Sequence, residues 1–258
     1  MSAVEFPIEP IGVIHTEFKE KFGIPRQPGL ATFSRGVIEL FSHKISNSLF
    51  EQACKQLYEF SHIWVIFIFH KHNSKGFKAS IRPPRLGGKK KVGAFGTRSP
   101  HRPNPIGLSA VKLEKISKNK KGRVIIEVSG LDILDGSPVL DIKPYLPYAD
   151  SIPTANAGWT NNSVEIFPVS FTEKALGEIE KREKKYPKFK ERIIEMLEID
   201  PRPASQKVKY TPKNKENEGK KFGFILLDYD IKWEITDSGF RVYDIEDLIN
   251  GKIQSKSK

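Results

Sequence analysis

Seven basic side chains lie between Arg82 and Asn104, in a stretch without Asp or Glu that is dense in Gly and Pro. Four of them are arginines, Arg82, Arg85, Arg98 and Arg102, each close to proline, glycine or small residues that restrict the chain. A guanidinium presents a planar fork of donors that matches phosphate or carboxylate oxygens. Glycine lets a backbone approach a flat or anionic ligand closely. We therefore expect this stretch to bind a polyanion, with nucleic acid as the natural candidate.

Three consecutive lysines, Lys89, Lys90 and Lys91, allow two interpretations. They fit the same polyanion site as the arginines, and they equally fit a solvated face that keeps the protein soluble. The chain carries 43 Lys and Arg against 31 Asp and Glu, a formal net charge of +12 at pH 7. This excess favours a negatively charged partner.

Two histidines, His70 and His72, follow an apolar run and would share one face of an extended strand. No third ligand lies at an interval typical of a metal site, so we expect no metal there. His70 would instead orient a ligand by hydrogen bonding. Three aspartates, Asp132, Asp135 and Asp141, either cap turns or belong to a site, since the second of them precedes glycine, a turn signal. Both interpretations of the aspartates remain open.

Familiar nucleotide and nucleophile signatures are absent from the sequence: it has no P-loop, no G-x-S-x-G elbow, no paired C-x-x-C and no G-x-G-x-x-G. A doubly wound nucleotide-binding fold is therefore disfavoured. Several rigid, polar loops instead suggest one composite, preorganised pocket. These loops are Pro25–Gly29, Phe69–His70, Arg82–Gly88, Thr97–Gly107 and Leu131–Pro147.

Short β-branched or aromatic runs bounded by Gly, Pro or Asn recur through the first 170 residues or so and predict strands. One helix, from about Ser48 to Phe60, interrupts them. The spacing favours a mainly antiparallel sheet or barrel over repeated βαβ units. The predicted strands are Ile11–Ile14, Gly36–Leu40, His62–Phe69, Val92–Phe95, Leu108–Leu113, Arg123–Val128 and Val164–Phe171.

A second unit begins after Phe171, where the composition becomes that of charged, amphipathic helices. Two helices, Glu173–Tyr186 and Lys188–Ile199, precede a DPRP segment and a lysine-rich loop from Lys207 to Lys221, and strands follow. We therefore expect two domains, residues 8–171 and 172–245, the second of them α+β. Its predicted strands are Phe222–Leu227, Tyr229–Thr236 and Phe240–Tyr243.

Composition suggests a soluble, cytoplasmic protein. Hydrophobic residues make up 38% and charged residues 29% of the chain, and the apolar run from Ile63 to Phe69 is too short to cross a bilayer. The N-terminus lacks a basic segment followed by an apolar one. The single cysteine, Cys54, excludes an internal disulfide and has the spacing of a core residue in a helix. We expect no membrane partner.

Five motifs in this order resemble the TsaA/TrmO-type tRNA methyltransferases: PRQPGL, RPPRLGG, FGTRSPHRPNPIGLS, LDILDGSPVLDIKPYLPYAD and DPRP. The resemblance covers about residues 8 to 245. Members of that family use S-adenosylmethionine to methylate N6 of threonylcarbamoyladenosine at position 37 of tRNA. The resemblance implies a mainly β (α+β) fold: an antiparallel β-barrel methyltransferase domain, not of the Rossmann type, with a smaller α+β C-terminal domain that helps to bind tRNA. It also implies a homodimer with the cofactor site near the subunit contact.

The resemblance also assigns cofactor contacts. Arg98 would pair with the methionine carboxylate, Asp132 would accept from the ribose or the adenine, and Leu108 and Leu131 would pack the adenine ring. The full set of cofactor residues is Pro25, Arg26, Gln27, Phe69, His70, Arg98, Leu108, Gly130, Leu131, Asp132, Ile133 and Leu134.

The reaction itself needs alignment, because the target nitrogen is of the ureido type and its delocalised lone pair makes it a poor nucleophile. We expect Asn104, in the rigid RPNP turn, to hydrogen-bond the target base or its carbamoyl group, and Asp135 to accept the proton. Basic side chains would contact the anticodon-loop phosphates. These are Arg82, Arg85, Lys89, Lys90, Lys91, Arg102 and, from the second domain, Arg202.

Two other functions are compatible with the sequence. One is a non-catalytic RNA-binding protein whose basic loops grip the backbone while Trp159 stacks on bases, although Trp159 equally fits ordinary core packing. The other is a methyltransferase that acts on a different base or a small metabolite. Cofactor binding separates the enzyme from the binding protein.

Overall fold

The computed structural model describes residues 6–161 and 164–248, and strands dominate its first part. In chain order the strands are β1 (Gly12–Thr16), β2 (Arg35–Leu40), β3 (His62–Ile68), β4 (Ser80–Ile81), β5 (Val92–Gly93), β6 (Ile106–Lys118), β7 (Val124–Ser129) and β8 (Ser137–Pro144). In the described residues, six of these strands close into an antiparallel barrel in the order β1-β2-β7-β6-β3-β8, and β4 and β5 form a separate ribbon.

The barrel core follows from alternation along the strands. On β3, the side chains of Ile63, Val65 and Phe67 point inward and are at most 2% exposed. The neighbouring β6 pairs Gly107 with Phe67, and a Cβ atom at Gly107 would lie 2.3 Å from the phenyl ring. Only glycine therefore fits beside this ring. The outward residues of β6 include Leu108, which is 54% exposed.

The second part of the chain is a mixed sheet covered by helices. Its strands pair in the order β10-β11-β12-β9, with β9 parallel to β12, and α3 and α4 pack nearby. No helix among the described residues is long and apolar enough to span a bilayer. The strands are β9 (Val169–Phe171), β10 (Lys221–Leu226), β11 (Tyr229–Ile235) and β12 (Phe240–Asp247); the helices of the whole chain are α1 (Asn47–Ala53), α2 (Pro147–Asp150), α3 (Glu173–Glu183), α4 (Phe189–Glu198) and α5 (Ala204–Lys209).

The two parts are fastened to each other. Their buried apolar side chains form one continuous cluster. A buried ion pair joins Glu17, just after β1, to Arg192 of α4, with 2.7 Å between Oε2 and Nη1. Glu195 of α4 accepts hydrogen bonds from the Thr32 hydroxyl and the Phe33 N–H. The helical layer is thereby held against the loop that connects β1 to β2.

The architecture confirms the expected class, a β-barrel with a smaller α+β unit, but individual elements differ. The run Leu131–Pro147 was expected to be a loop, yet it contains β8, which closes the barrel between β1 and β3. The strand expected at Val164–Phe171 is short and belongs to the second sheet, where it pairs with β12. The expected helix Ser48–Phe60 ends at Ala53, because Gln56 adopts a left-handed conformation (φ 64°).

Candidate active site

The loop between β1 and β2 meets two segments that are distant in sequence. Gln27 Oε1 accepts a hydrogen bond of 2.6 Å from Nη1 of Arg98, and its amide nitrogen donates to the Arg26 carbonyl at 2.5 Å. Two residues further on, the Gly29 N–H donates to the carbonyl of Gly130 at 3.0 Å. Three of the segments predicted to contact a cofactor therefore converge here.

The segment after β7 is held by one buried serine. Gly130 has a positive φ of 73°, a conformation that favours glycine, and its N–H donates to the Ser34 carbonyl. The Ser34 hydroxyl accepts from the N–H of Leu131 at 2.7 Å. The side chains of Leu131 and Ile133 have no exposed surface. Leu131 is therefore a core residue, and its side chain presents no surface to an adenine ring in this structure.

Asp132 differs from these neighbours because its carboxylate faces polar groups. Its Oδ1 accepts from the Ser109 hydroxyl at 2.5 Å. Desolvation raises the pKa of Asp132 to about 6, against the opposing effects of the Ser109 hydrogen bond and the positive charge of Arg98. The group is ionised at neutral pH and available as an acceptor.

His70 and Phe69 extend the same region at the end of β3. His70 Nδ1 lies 3.3 Å from the Ser137 hydroxyl, and desolvation followed by the charge of Lys71 lowers the pKa of His70. Both effects favour the neutral imidazole. The N–H of Phe69 donates to the Pro105 carbonyl at 2.8 Å, which ties this strand end to the loop that carries Asn104.

Asn104 is exposed and lines a cavity of about 370 Å³. Neighbouring Arg102, which also lines it, braces the loop: its Nη1 donates to the carbonyls of Thr97 at 2.7 Å and Ala94 at 3.3 Å, and its guanidinium lies 5.6 Å from the Phe95 ring centre. The cavity is mainly apolar with a few polar groups, as expected of a pocket for a heterocyclic base. Its lining is Ile8, Ile68, His72, Gly76, Phe77, Arg102, Pro103, Asn104, Pro105, Ile106 and Leu140.

Asp135 is not among the residues that line this cavity. Its Oδ1 accepts from the Thr16 N–H at 2.8 Å, and its Oδ2 lies 3.0 Å from the Lys19 ammonium. Both carboxylate oxygens are therefore engaged at the end of β1. These contacts give Asp135 a structural role, and they add no support to the expectation that it accepts the proton.

The basic residues expected to contact phosphates divide into two groups. Arg202 has no exposed surface; its guanidinium binds both Asp200 oxygens at 2.8 and 2.9 Å and lies about 5 Å from the Phe222 ring centre. A fully buried and paired guanidinium presents no donor to solvent, so the structure gives no support to its assignment to phosphate binding. The others reach the surface: Arg102, which braces the loop of Asn104, is partly exposed, and the exposed ones are Arg82, Arg85, Lys89, Lys90 and Lys91.

Some functional contacts had no recognisable signal in the sequence. Ser34, Ser109 and Ser137 support the predicted segments through hydrogen bonds between residues far apart along the chain. Trp159 is half-buried, and its indole N–H donates to the Gly96 carbonyl at 2.9 Å, close to Arg98. Trp159 is thus not fully buried, and its indole is tethered to the segment that leads to Arg98.

Comparison with known proteins gives matches over most of the chain. Residues 13–151 match the tRNA-methyltransferase O N-terminal domain, and residues 165–248 match the TrmO C-terminal domain. The chain is 41% identical over 242 residues to the tRNA (adenine(37)-N6)-methyltransferase of Escherichia coli K12, covering 93% of this chain and 98% of that protein.

A Pseudomonas aeruginosa PAO1 protein named "Putative S-adenosylmethionine-dependent methyltransferase RcsF" is 39% identical over 229 residues, which covers 88% of this chain and 91% of that one. Among solved structures, a crystal structure of TrmO from P. aeruginosa superimposes with a TM-score of 0.74 at 33% identity, over 95% of this chain and 99% of that one. The likeness thus extends through both parts of the fold.

Proposed function

This chain belongs to the TrmO family of tRNA methyltransferases, and from that premise we propose that it methylates N6 of threonylcarbamoyladenosine at position 37 of tRNA, with S-adenosylmethionine as donor. The observation that carries the proposal is the convergence of Gln27, Arg98 and the segment Gly130–Asp132 beside the loop of Asn104. In support of it, the residues that we assign to the donor and to the base include Arg98 and Asn104, which lie on the same connection between β5 and β6.

The side chains at this site suit the cofactor chemically. The Arg98 guanidinium, oriented by Gln27, offers donors for a carboxylate. The ionised carboxylate of Asp132 would accept from a ribose hydroxyl or an adenine amine, and the exposed Leu108 offers an apolar surface for a flat ring. When bound, S-adenosylmethionine supplies an electrophilic methyl group on a sulfonium sulfur. No charge on the protein is needed to activate it.

The chain's own contribution to the reaction is mainly positioning. The side-chain amide of Asn104 has both a donor and an acceptor, so it would hold the edge of the base or its carbamoyl group at the cavity mouth. The turn that presents it is tight, since the Ile106 N–H donates to the Asn104 carbonyl at 2.7 Å. A fixed base would keep the nitrogen lone pair directed at the methyl carbon, so that the new nitrogen–carbon bond forms as the carbon–sulfur bond breaks, and the proton on nitrogen would pass to solvent water.

A homodimer would complete the site. Four apolar side chains near it are exposed: Phe77 by 50%, Phe95 by 75%, Ile106 by 38% and Leu108 by 54%. The first two stack with 6.4 Å between their ring centres. Apolar surface of this kind marks an interaction site, and we assign it to a second copy of the chain. Phe95→Asp should shift the mass measured by light scattering from that of a dimer to that of a monomer. A wild-type protein that already has the mass of a monomer would contradict the assignment.

Mass spectrometry of tRNA nucleosides tests the reaction. Purified protein is incubated with S-adenosylmethionine and tRNA with or without threonylcarbamoyladenosine at position 37, and we expect one added methyl group on the premodified tRNA alone. Methylation of both tRNAs would show that the enzyme does not require threonylcarbamoyladenosine and would point to a different base. No transfer, from a folded protein that binds tRNA tightly, would favour the non-catalytic RNA-binding function.

A further inference from the structure

A second cavity lies between the two parts of the chain, apart from the cavity of Asn104. Its volume is about 530 Å³, and three segments build it. The loop after β1, the loop between β4 and β5, and the connection between α4 and α5 supply its walls. The lining residues are Lys21, Phe22, Arg26, Arg82, Pro84, Gly87, Gly88, Pro201 and Pro203. We refer to this cavity as the interdomain crevice.

The charged side chains that line the interdomain crevice are all basic. Lys21, Arg26 and Arg82 line it, and none of its described lining residues is Asp or Glu. Arg26 is fixed by backbone carbonyls rather than by a carboxylate: its Nη2 lies 3.2 Å from the Arg202 oxygen and 3.5 Å from that of Pro201. These carbonyl contacts do not neutralise its positive charge, and Asp200, the carboxylate that acts on it electrostatically, is itself paired with Arg202. Arg82 is exposed to solvent.

The walls of the crevice are rigid. Prolines 84, 201 and 203 restrict the backbone, and Gly87 and Gly88 have positive φ values of 65° and 68°. Two adjacent residues without side chains leave room for a ligand strand to approach the backbone closely. A preorganised cationic cavity of this kind loses little conformational entropy when it binds an anion.

We propose that the interdomain crevice binds a phosphodiester of the tRNA backbone, with Arg26 and Arg82 as its principal ligands. This inference rests on the proposed function, in which RNA is the substrate. It moves Arg26 from the cofactor contacts to the RNA contacts. Arg26 is adjacent in the chain to Gln27, which holds Arg98, so RNA bound in the crevice lies alongside the cofactor loop.

The position of the crevice explains why the two parts of the chain must be held together. One wall comes from the connection that carries the buried Arg202, and the others come from loops of the barrel. Arg202 thus contributes indirectly, since its pairing with Asp200 orders the carbonyls that receive Arg26. The C-terminal domain would bind RNA through a shared cavity and not through the arginine of its DPRP motif.

Salt-dependent binding of a tRNA transcript tests the proposal. Fluorescence anisotropy would compare wild type with Arg26→Gln and Arg82→Gln between about 50 and 200 mM salt. Each lost phosphate contact should make the slope of log K against log salt shallower by about 0.7 to 0.9. The matched control is Lys120→Gln, which removes one exposed charge from the turn between β6 and β7. It should leave the slope unchanged.

Affinity for S-adenosylmethionine, measured by calorimetry, supplies the second readout. We expect it to be unchanged in both arginine variants. If Arg26→Gln and Arg82→Gln have the same salt slope of tRNA binding as Lys120→Gln, the crevice is not an RNA site, whether or not the protein methylates tRNA. If Arg26→Gln loses cofactor affinity without a change of slope, Arg26 belongs to the cofactor site and the proposal fails for it. Shallower slopes in a protein that transfers no methyl group would support the crevice and refute the proposed reaction instead.

Discussion

The buried ion pair between Glu17 and Arg192 should dominate the stability of the contact between the two domains. Their side chains are 2% and 9% exposed, so Arg192→Met leaves a carboxylate that is buried and uncompensated. Loss of one partner of such a pair typically costs about 3–5 kcal/mol. At about 2–4 °C per kcal/mol, the melting temperature should fall by about 6–20 °C.

The sign of the pH dependence follows from the pKa of Glu17, which burial raises from 4.5 to about 7 in spite of the opposing charge of Arg192. The folded state holds this proton more tightly than the unfolded state, so the contribution of Glu17 to stability is greatest below pH 4.5 and is lost as the pH rises through 7. Without Arg192, ionisation becomes still more costly. The penalty of Arg192→Met should therefore be small at pH 5 and full at pH 8.5.

Chemical denaturation of wild type and variant at both pH values measures these differences. Arg241→Met is the matched control, because Arg241 is 49% exposed and its pair with Glu234 should contribute no more than about 1 kcal/mol at either pH. The double variant Glu17→Gln/Arg192→Met should recover much of the loss, since no charge is left buried. The reasoning is refuted if Arg192→Met costs no more than Arg241→Met at pH 8.5, or costs the same at both pH values.

Three further predictions concern the site and its support. Asn104→Ala should abolish methyl transfer and leave S-adenosylmethionine affinity nearly unchanged; a large loss of affinity in calorimetry would place Asn104 among the cofactor contacts. Cofactor affinity should weaken as the pH falls through about 6, where Asp132 takes up a proton, and Asp132→Asn should remove this dependence; a variant that retains the wild-type pH profile would exclude Asp132. Arg202→Met should lower the unfolding free energy by about 3–5 kcal/mol because Asp200 loses its partner, yet the salt slope of tRNA binding by the folded variant should stay as in wild type. A shallower slope would return Arg202 to the phosphate contacts.

The sequence predicted the strands with strong local patterns and missed those without them. The run that forms β3 is uniformly apolar and was recognised directly. By contrast, β8 contains Pro138 and Pro144 and begins beside an Asp-Gly turn, features typical of loops. The segment becomes a strand because it pairs with β1 and β3. Both partners are distant in the chain, so the segment itself carries no periodic pattern that predicts this pairing.

The candidate site also depends on contacts between residues distant in the chain, which leave no local signal in the sequence. Motifs identified Gln27, Arg98 and Asp132, and the structure links the first two directly. They did not identify Ser109, whose hydroxyl binds Asp132, because a serine on an alternating strand has no distinctive context. The burial of Arg202 could not be predicted for a related reason: its aromatic neighbours come from the second sheet, far along the chain from the DPRP motif.

Closure of the barrel has a consequence for how the protein acquires activity during synthesis. The final seam pairs Gly12 of β1 with Val139 of β8, so the barrel remains open until nearly 140 residues have left the ribosome. Contacts between such distant segments form slowly, because a long loop must be ordered first. The segment Gly130–Leu134 directly precedes β8, and the carbonyl of its Ile133 accepts a hydrogen bond from the hydroxyl of Thr16 at the end of β1. Ability to bind the proposed methyl donor should therefore appear late in folding, and the cofactor would serve as a reporter of a correctly closed nascent chain.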